Sequence, residues 1–456
     1  MSMATTASAG TDNRNAQDAA RATSPSTANA RTKRLRVLFL APQVPWPLDT
    51  GGKIRTRYLL RALARAHRVK VLAFGDRQAD SEGVAAISRM GADCELIARP
   101  GRVGELIQLA RGLAGPVPCN IRKYQSLAFG RRLRQLAPEQ DLVHCDHIHM
   151  ARYGATTGLP YAVDEHNVET LIWDRFARDD QEPLLKRALF AQQAFLLRRV
   201  ERDLCSRASM VTLCSRADQT ALLELIGGHR HPPTQVIPNG VDVEFFSETG
   251  PAEVKGHIFF TGSMDWAPNE NAVLAFLDEM WPEIRRAMAG LSFYVVGRRP
   301  TRRLWERHRR DGVHITGTVP DVRPFMRGAL ALVVPMRVGG GTRLKILEAF
   351  AARVPVVSTA IGIEGITAED GVHYLRAESV ADFAAALTRL RQDPARGRKL
   401  TEAAFGLAQD HYSWDAAGGR LAQEYADRFG RASWDHLRSE GRPLLHLLLS
   451  RSCNAW

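Results

Sequence analysis

Short apolar runs alternate with longer stretches of helical spacing through most of the chain, and the alternation stops once and then starts again. Arg36 to Ala41 (RVLFLA) is unbroken and apolar after its first residue, and a Pro-rich turn follows it, Pro42 to Pro47. Ile54, Tyr58, Leu59, Leu63 and Ala66 then recur at helical spacing, and Val69 to Phe74 (VKVLAF) is the next run. Such runs are too short for helices and are flanked by turn residues. They predict strands, and the helices between them predict parallel connections. Leu142 to His144, Tyr161 to Asp164, Val211 to Leu213 and Gln235 to Ile237 continue the series. Val241 to Gly256 has no clear period and holds Gly and Pro. The pattern restarts at His257 to Thr261 and goes on through Phe293 to Val296, Val313 to Thr316, Leu330 to Val334 and Pro355 to Ser358. Helices are expected at Asn271 to Trp281, Arg343 to Ala352 and Val380 to Leu390.

This is the pattern of an α/β protein with parallel sheets. It predicts one domain over 34–240, a linker over 241–256 and a second domain over 257–405. Helices over 406–430 are expected to cross back to the first domain. Residues 1–33 read as a disordered extension, being rich in Ala, Ser, Thr and Asn, and 431–456 as a tail. A chain of 456 residues can build two cores of that size. Open α/β sheets bind ligands at the carboxyl ends of their strands, so two facing domains predict a ligand cleft between them.

Composition narrows the function classes. No apolar run is long enough to cross a bilayer, and the N-terminus lacks the apolar segment of a signal peptide. The six cysteines form no C-x-x-C pair and no zinc spacing, which suits free thiols in a cytoplasmic protein. The net charge of +13 is spread over many helices with acidic residues among them, and no nucleic-acid motif is present. No nucleic-acid partner is expected. The basic excess, the helix expected over Glu182 to Ala208 and an apolar patch at Leu444 to Leu449 together predict peripheral contact with an anionic membrane.

Three constellations can carry chemistry. The first is Asp49-Thr50-Gly51-Gly52 with Lys53 and Arg55, where glycines admit a phosphate to backbone N–H groups and to a helix tip. The second is Asp164-Glu165-His166-Asn167, four polar residues directly after a strand, which are costly there without a partner or ligand. His166 can hold a donor phosphate or orient an acceptor hydroxyl. Asp146 and His147 follow the preceding strand and can face the same cleft. The third is Gly339-Gly340-Gly341-Thr342-Arg343-Leu344-Lys345-Ile346-Leu347-Glu348. Its glycines can wrap an anion, Thr342 can cap the helix, and Arg343 and Lys345 add positive charge at its mouth. Glu348 can accept two hydrogen bonds from the vicinal hydroxyls of a ribose. Gly297 and Arg298, after another strand, can reach phosphates or the base, and Gly262 ends the second domain's first strand.

These segments together resemble glycosyltransferase family 4, the retaining transferases of the GT-B fold. They are most similar to members that accompany exopolysaccharide and exosortase (PEP-CTERM) gene clusters. The marks, in order, are the opening Pro-rich and Gly-Gly loop, Asp-Glu-His-Asn-Val-Glu (164–169), Val-Ile-Pro-Asn-Gly-Val-Asp (236–242), Thr-Gly-Ser-Met-Asp-Trp-Ala-Pro-Asn (261–269) and the triple-glycine segment (339–349). The resemblance implies two facing Rossmann-like domains with parallel sheets and a cleft between them. It places the nucleotide-sugar on the second domain and a saccharide or lipid-linked acceptor mainly on the first.

Residue by residue, it gives Glu348 the donor ribose, His166 the neighbourhood of the reacting centre and Gly52 the approach to the diphosphate. The donor set it implies is Gly51, Gly52, Gly262, Gly297 and Arg298, with Gly340, Gly341, Thr342, Arg343, Lys345 and Glu348. The acceptor side takes Asp146, His147, Glu165 and Asn167. Two family features are missing. Gly340 stands where the family's first glutamate belongs, and no Arg and Lys pair follows the strand that ends at Thr261. Arg343 and Lys345 are the candidates to replace that charge. No D-x-D motif occurs in the donor loops, so no metal and no other cofactor is expected. A nucleotide-sugar epimerase and a non-catalytic binder of sugar nucleotides are the alternatives.

Overall fold

The computed structural model describes residues 34–99, 101–180, 182–228, 231–248 and 256–430. The expectations for 1–33 and 431–456 lie outside the described residues, as does the part of the linker over 249–255. Seven strands, β1 (Arg36–Ala41), β2 (Arg68–Phe74), β3 (Asp93–Ile97), β4 (Leu142–Asp146), β5 (Tyr161–Glu165), β6 (Met210–Leu213) and β7 (Thr234–Val236), form the first sheet. Six more, β8 (His257–Thr261), β9 (Ser292–Val296), β10 (Val313–Gly317), β11 (Ala331–Val334), β12 (Val356–Ser358) and β13 (Leu375–Arg376), form the second. The orders are β3-β2-β1-β4-β5-β6-β7 and β10-β9-β8-β11-β12-β13, and every pair within a sheet is parallel.

The central strands are apolar on both faces because both faces are covered. Leu38 and Leu40 of β1 join one core with Leu72 and Phe74, while Val37, Phe39 and Ala41 join another with Leu59, Leu60 and Leu63 of the helix Gly51–Ala66. That is period-two alternation between two helical layers. Each sheet also reverses its strand order once, between β1 and β4 in the first lobe and between β8 and β11 in the second. The crevice outside such a reversal is where doubly wound sheets take their ligands.

The last described helix, Trp414–Phe429, leaves the second lobe and finishes the first. Its Leu421 and Tyr425 are fully buried in the core built on Val37 and Phe39. Trp414 stacks on Tyr58 at 4.8 Å, and Tyr425 OH bonds His144 Nδ1 at 2.6 Å. The crossing comes later than the expected position at 406. Leu400, Ala404 and Ala408 of the helix Pro394–His411 stay in the second core, and the chain passes over at Tyr412 and Ser413. Within the expected linker, Val243–Ser247 forms a short helix capped by the Asp242 side chain. The helix expected over 271–281 is interrupted: Ala267–Ala275 gives way to a wider turn at Phe276–Met280, and Trp281–Ala287 restarts with Pro282 in its first turn, where a missing N–H costs nothing.

Candidate functional site

Both strand reversals open onto one cleft, and most of the residues singled out by sequence sit on its two walls. On the first wall, Gly51 and Gly52 form the opening turn of their helix rather than a loop before it. The Thr50 side chain caps that helix by accepting from Lys53 N at 3.3 Å. Thr56, one turn on, donates its hydroxyl to Asp146 at the end of β4 (2.9 Å). Asp146 and Asp164 then share one imidazole: His166 Nε2 lies 2.9 Å from Asp146 Oδ1 and 3.1 Å from Asp164 Oδ2. Arg55 closes the network from behind, with Asp164 at 2.6 and 2.9 Å, Ile237 O at 2.8 Å and Asn239 Oδ1 at 3.0 Å. Arg55, Asp146 and Asp164 spend their hydrogen bonds within the wall.

Charge follows from that geometry. Burial alone favours a neutral His166 ring, but Asp146 and Asp164 outweigh it and raise its pKa. Asp164, also opposed by burial, is held well below the usual carboxylate range by Arg55 and His166. His147 moves the other way. Burial and the neighbouring His166 lower its pKa despite Asp146. Its ring stacks on His166 at 3.5 Å, on a backbone with φ 68° and ψ 157°, a conformation that side chains other than glycine rarely adopt. A Cβ on Gly52 would stand 3.5 Å from His147 Nε2 and 3.6 Å from His166 Nδ1. The opening of the helix and both imidazoles therefore converge on one spot.

Asp146, His147 and His166 also offer three ligand atoms within 4.8 Å of one another, as do His144, Asp146 and Asp164. Asp146, Asp164 and His166 spend those atoms on one another and on Arg55, whereas His144 turns to Tyr425, and His144 Nε2 and His147 Nδ1 have no hydrogen-bond partner among the described residues. Two residues expected beside them face elsewhere. Glu165 follows Asp164 on β5 and so points to the opposite side of the sheet. There it meets Cys205 Sγ at 3.4 Å, and burial with Glu201 pushes its carboxyl well above the usual range. Asn167 borders the glycine loop of the other lobe rather than the first wall.

The second wall is built mainly from backbone. Gly341 has φ 66°, and a Cβ there would collide with His166 O and Asn167 Oδ1. Gly297, at φ 150°, has no room for a Cβ against Gly262 O. Gly340 packs on the first lobe as well: a Cβ would lie 3.2 Å from Ile172 Cγ1 and 3.4 Å from Asn167 Cβ. Gly51 similarly faces Leu344, 3.3 Å from where its Cβ would be. Thr342 does not cap the following helix. Its hydroxyl donates to Cys214 O in the first lobe at 3.3 Å, and Arg343 takes the cap position with no side-chain cap bond.

Arg343 is not free to meet a ligand directly. Its guanidinium donates to Gly340 O, to Gly341 O at 2.8 Å and to Ile361 O at 3.2 Å, so it braces the loop from behind. Arg175 of the first lobe braces the same loop, donating to Gly339 O and gripping Glu364 at 2.6 and 2.7 Å. Arg298 is tied to Asp49 at 2.8 Å across the cleft and to Asp265 at 3.0 Å.

Lys345 and Glu348, on the helix Leu344–Ala351, remain half-buried at the cleft. Lys345 Nζ donates to Asn269 Oδ1 at 2.9 Å and lies over the Phe260 ring, 3.1 Å from the place of a Gly262 Cβ. It thus brings a cation to the end of β8, where the local sequence has none. Burial holds its pKa well below that of a free lysine. The Glu348 carboxylate makes no hydrogen bond or ion pair with any described residue, and burial, against the pull of Lys345, raises its pKa to about 7. A carboxylate at the cleft with no protein partner keeps its acceptor sites open to the donors of a ligand.

Sequence reasoning misses the roles of Arg55, Asn239, Asp218 and Arg175. Asn239 lies inside the Val-Ile-Pro-Asn-Gly-Val-Asp segment, which by itself is only a mark of resemblance. Its Nδ2 donates to Thr342 O at 3.3 Å. Asp218 accepts from Gly341 N at 3.4 Å. Neither the long-range partners nor the lobe each residue would touch can be read from local spacing.

Comparison with known proteins agrees with this architecture. Residues 50–245 match the family model described as Glycosyltransferase Family 4, and residues 255–393 match that described as Glycosyl transferases group 1. No curated protein matches by sequence. Among solved structures, HepE of Anabaena in complex with UDP-glucose is 16% identical, with a TM-score of 0.62 over 86% of this chain and 100% of that one. Sucrose-phosphate synthase of Thermosynechococcus elongatus is 18% identical, with a TM-score of 0.63 over 87% and 99%. A variant of S. aureus TarM in complex with fondaparinux, alpha-GlcNAc-glycerol and UDP is 10% identical, with a TM-score of 0.60 over 87% and 100%. The two family matches fall one on each lobe in chain order, and with the doubly wound GT-B fold they make this chain a glycosyltransferase.

Proposed function

We propose that this enzyme transfers a sugar from a nucleoside diphosphate sugar to a hydroxyl of a saccharide or lipid-linked acceptor, with retention of anomeric configuration. The observation that carries the donor side is Glu348, a half-buried carboxylate with no protein partner among the described residues, at the second lobe's strand reversal. It takes the vicinal hydroxyls of the ribose. The diphosphate then runs along the Gly339–Gly341 loop toward Gly51 and Gly52, between two helix tips. Solved relatives in fold hold UDP or UDP-glucose, which supports a nucleotide-sugar in this cleft. The assignment to exopolysaccharide assembly of the exosortase-associated kind rests on the order of the five sequence motifs. A cytoplasmic setting is supported by the buried free thiols Cys145, Cys205 and Cys214.

In the transfer step the acceptor oxygen attacks the anomeric carbon on the face that the leaving diphosphate vacates. The bond between that carbon and the phosphate oxygen breaks, and the phosphate takes the acceptor proton. Lys345 and the N–H groups of the two helix tips meet the charge that develops on the diphosphate. His166, whose pKa its two carboxylates raise, turns Nδ1 toward the same place as Gly52 and His147. The lobes exclude water across the Arg298–Asp49 and Arg175–Glu364 pairs.

The test is a thermal-shift screen of UDP-, GDP- and dTDP-sugars, followed by NMR of the product anomer with the donor that stabilises the fold. One donor should raise Tm, and His166→Ala should keep that shift but lose turnover by about a hundredfold or more. A product of inverted configuration, or full turnover in His166→Ala, overturns this mechanism.

A further inference from the structure

We propose that the face formed by the helices Arg102–Ala114 and Leu184–Arg207 docks on an anionic lipid leaflet, with the cleft mouth held at the membrane surface. Seven of the eleven large hydrophobic side chains exposed among the described residues lie on these two helices. Leu185 is 85% exposed, Leu106 66% and Phe195 59%. On the longer helix, Leu185, Leu189, Gln192, Phe195 and Arg199 follow one another at helical spacing along a single exposed stripe. Gln192, in the middle of that stripe, donates to Leu113 O at the end of the shorter helix (3.1 Å). The shorter helix, with Leu106, Ile107 and Leu109 exposed, is thus joined to the longer one beside this stripe. A contiguous apolar surface of this kind marks a docking site rather than ordinary exposure.

Charge selects the occupant. The helix Leu184–Arg207 carries six Lys or Arg against two acids, and one of those acids, Glu201, is fully buried. Arg199 lies 5.4 Å over the Phe195 ring, and neither Arg199 nor Arg202 pairs with a carboxylate among the described residues. Apolar side chains flanked by unpaired arginines match the interface of acyl chains and anionic headgroups. The stripe also leads to the site. Next to Leu189, Phe190 packs on Trp173 and Phe176, and Phe176 clusters with Ile172 and with Val338 beside the glycine loop. A lipid-carried acceptor lying in that leaflet would reach the cleft without leaving the membrane.

The test uses the full chain and sedimentation with vesicles of phosphatidylcholine, with and without phosphatidylglycerol, at low and high salt. Binding should require phosphatidylglycerol and fall with salt. Two double variants, Leu185→Ser with Phe195→Ser and Arg199→Glu with Arg202→Glu, should each reduce the bound fraction about tenfold. Both should keep the donor-induced rise in Tm, so loss of docking is separable from failure of the transferase mechanism. Three results would overturn the proposal: no binding to anionic vesicles at low salt, equal binding by the variants, or a wild-type dimer that these substitutions dissociate.

Discussion

The two walls of the cleft handle charge in opposite ways. The first wall carries Arg55, Asp146, Asp164 and His166 in a space closed to water, and pairs them with one another at 2.6–3.1 Å. The second wall offers glycine backbone, with Arg343 turned away to hold the loop and Glu348 left without a partner among the described residues. The first is therefore an organised electrostatic surface by itself, whereas the second leaves its acceptor and backbone groups open, and on the function proposed above the donor fills them. Substrate binding should act mainly through the second wall, and folding should depend more on the first.

The largest effect that separates the walls should come from Arg55→Met. It leaves Asp164 buried without its cation, which costs about 3–5 kcal/mol of stability. Chemical denaturation would show this as a lower midpoint, and an unchanged midpoint would remove the claim that the first wall underlies folding. Glu348→Gln should do the reverse. With Glu348 holding the ribose hydroxyls as proposed, losing that charge costs about 1.5–3 kcal/mol of donor binding, roughly ten- to a hundredfold in Kd by calorimetry. Stability at neutral pH should hold or rise.

Gly340→Glu puts back the family's carboxylate in a space already occupied by Ile172 and Asn167. Overpacking of that kind costs about 1–3 kcal/mol, so donor affinity should drop. Combining it with Ile172→Ala should restore much of the loss. If the single variant binds donor more tightly than wild type, the steric account of the missing glutamate is wrong. Arg175→Ala removes a partly exposed ion pair and one brace of the loop. It should raise the donor KM a few-fold, about 1 kcal/mol, with little change in Tm.

The mildest probe is pH. The Glu348 pKa is raised to about 7 by burial, so donor affinity should weaken as pH falls through that value, and Glu348→Gln should flatten the dependence. The sign for stability is opposite. A carboxyl with a raised folded pKa binds its proton better in the folded state. Its stabilising contribution is full below the unfolded value, about 4.3, and is lost as pH rises through about 7. His166 likewise has a raised pKa, so its cation persists to higher pH than that of a free imidazole.

Much of this is legible in the sequence because parallel strands buried on both faces leave an unmistakable record. RVLFLA and LALVV announce β1 and β11, and the strand-end position of His166 and the helical position of Glu348 follow from the pattern around them. What stays hidden depends on tertiary proximity. Arg55 looks like a phosphate ligand beside two glycines, because nothing local shows that Asp164, far along the chain, lies against it. Arg343 looks like a cation at a helix mouth, yet three backbone carbonyls claim it. The direction of Glu165 is available in principle. Neighbouring residues on a strand face opposite ways, so Asp164 and Glu165 could not both line the cleft.

Val241 pairs with Ser413, and Val241 N donates to Tyr412 O at 2.8 Å, at the place where the chain passes between lobes in both directions. Two covalent passages fastened side by side behave like a door on adjacent hinge pins: the leaves can swing, but they resist sliding past each other. The two glycine segments would then meet in the same alignment at every turnover, however often the enzyme opens to exchange product for substrate.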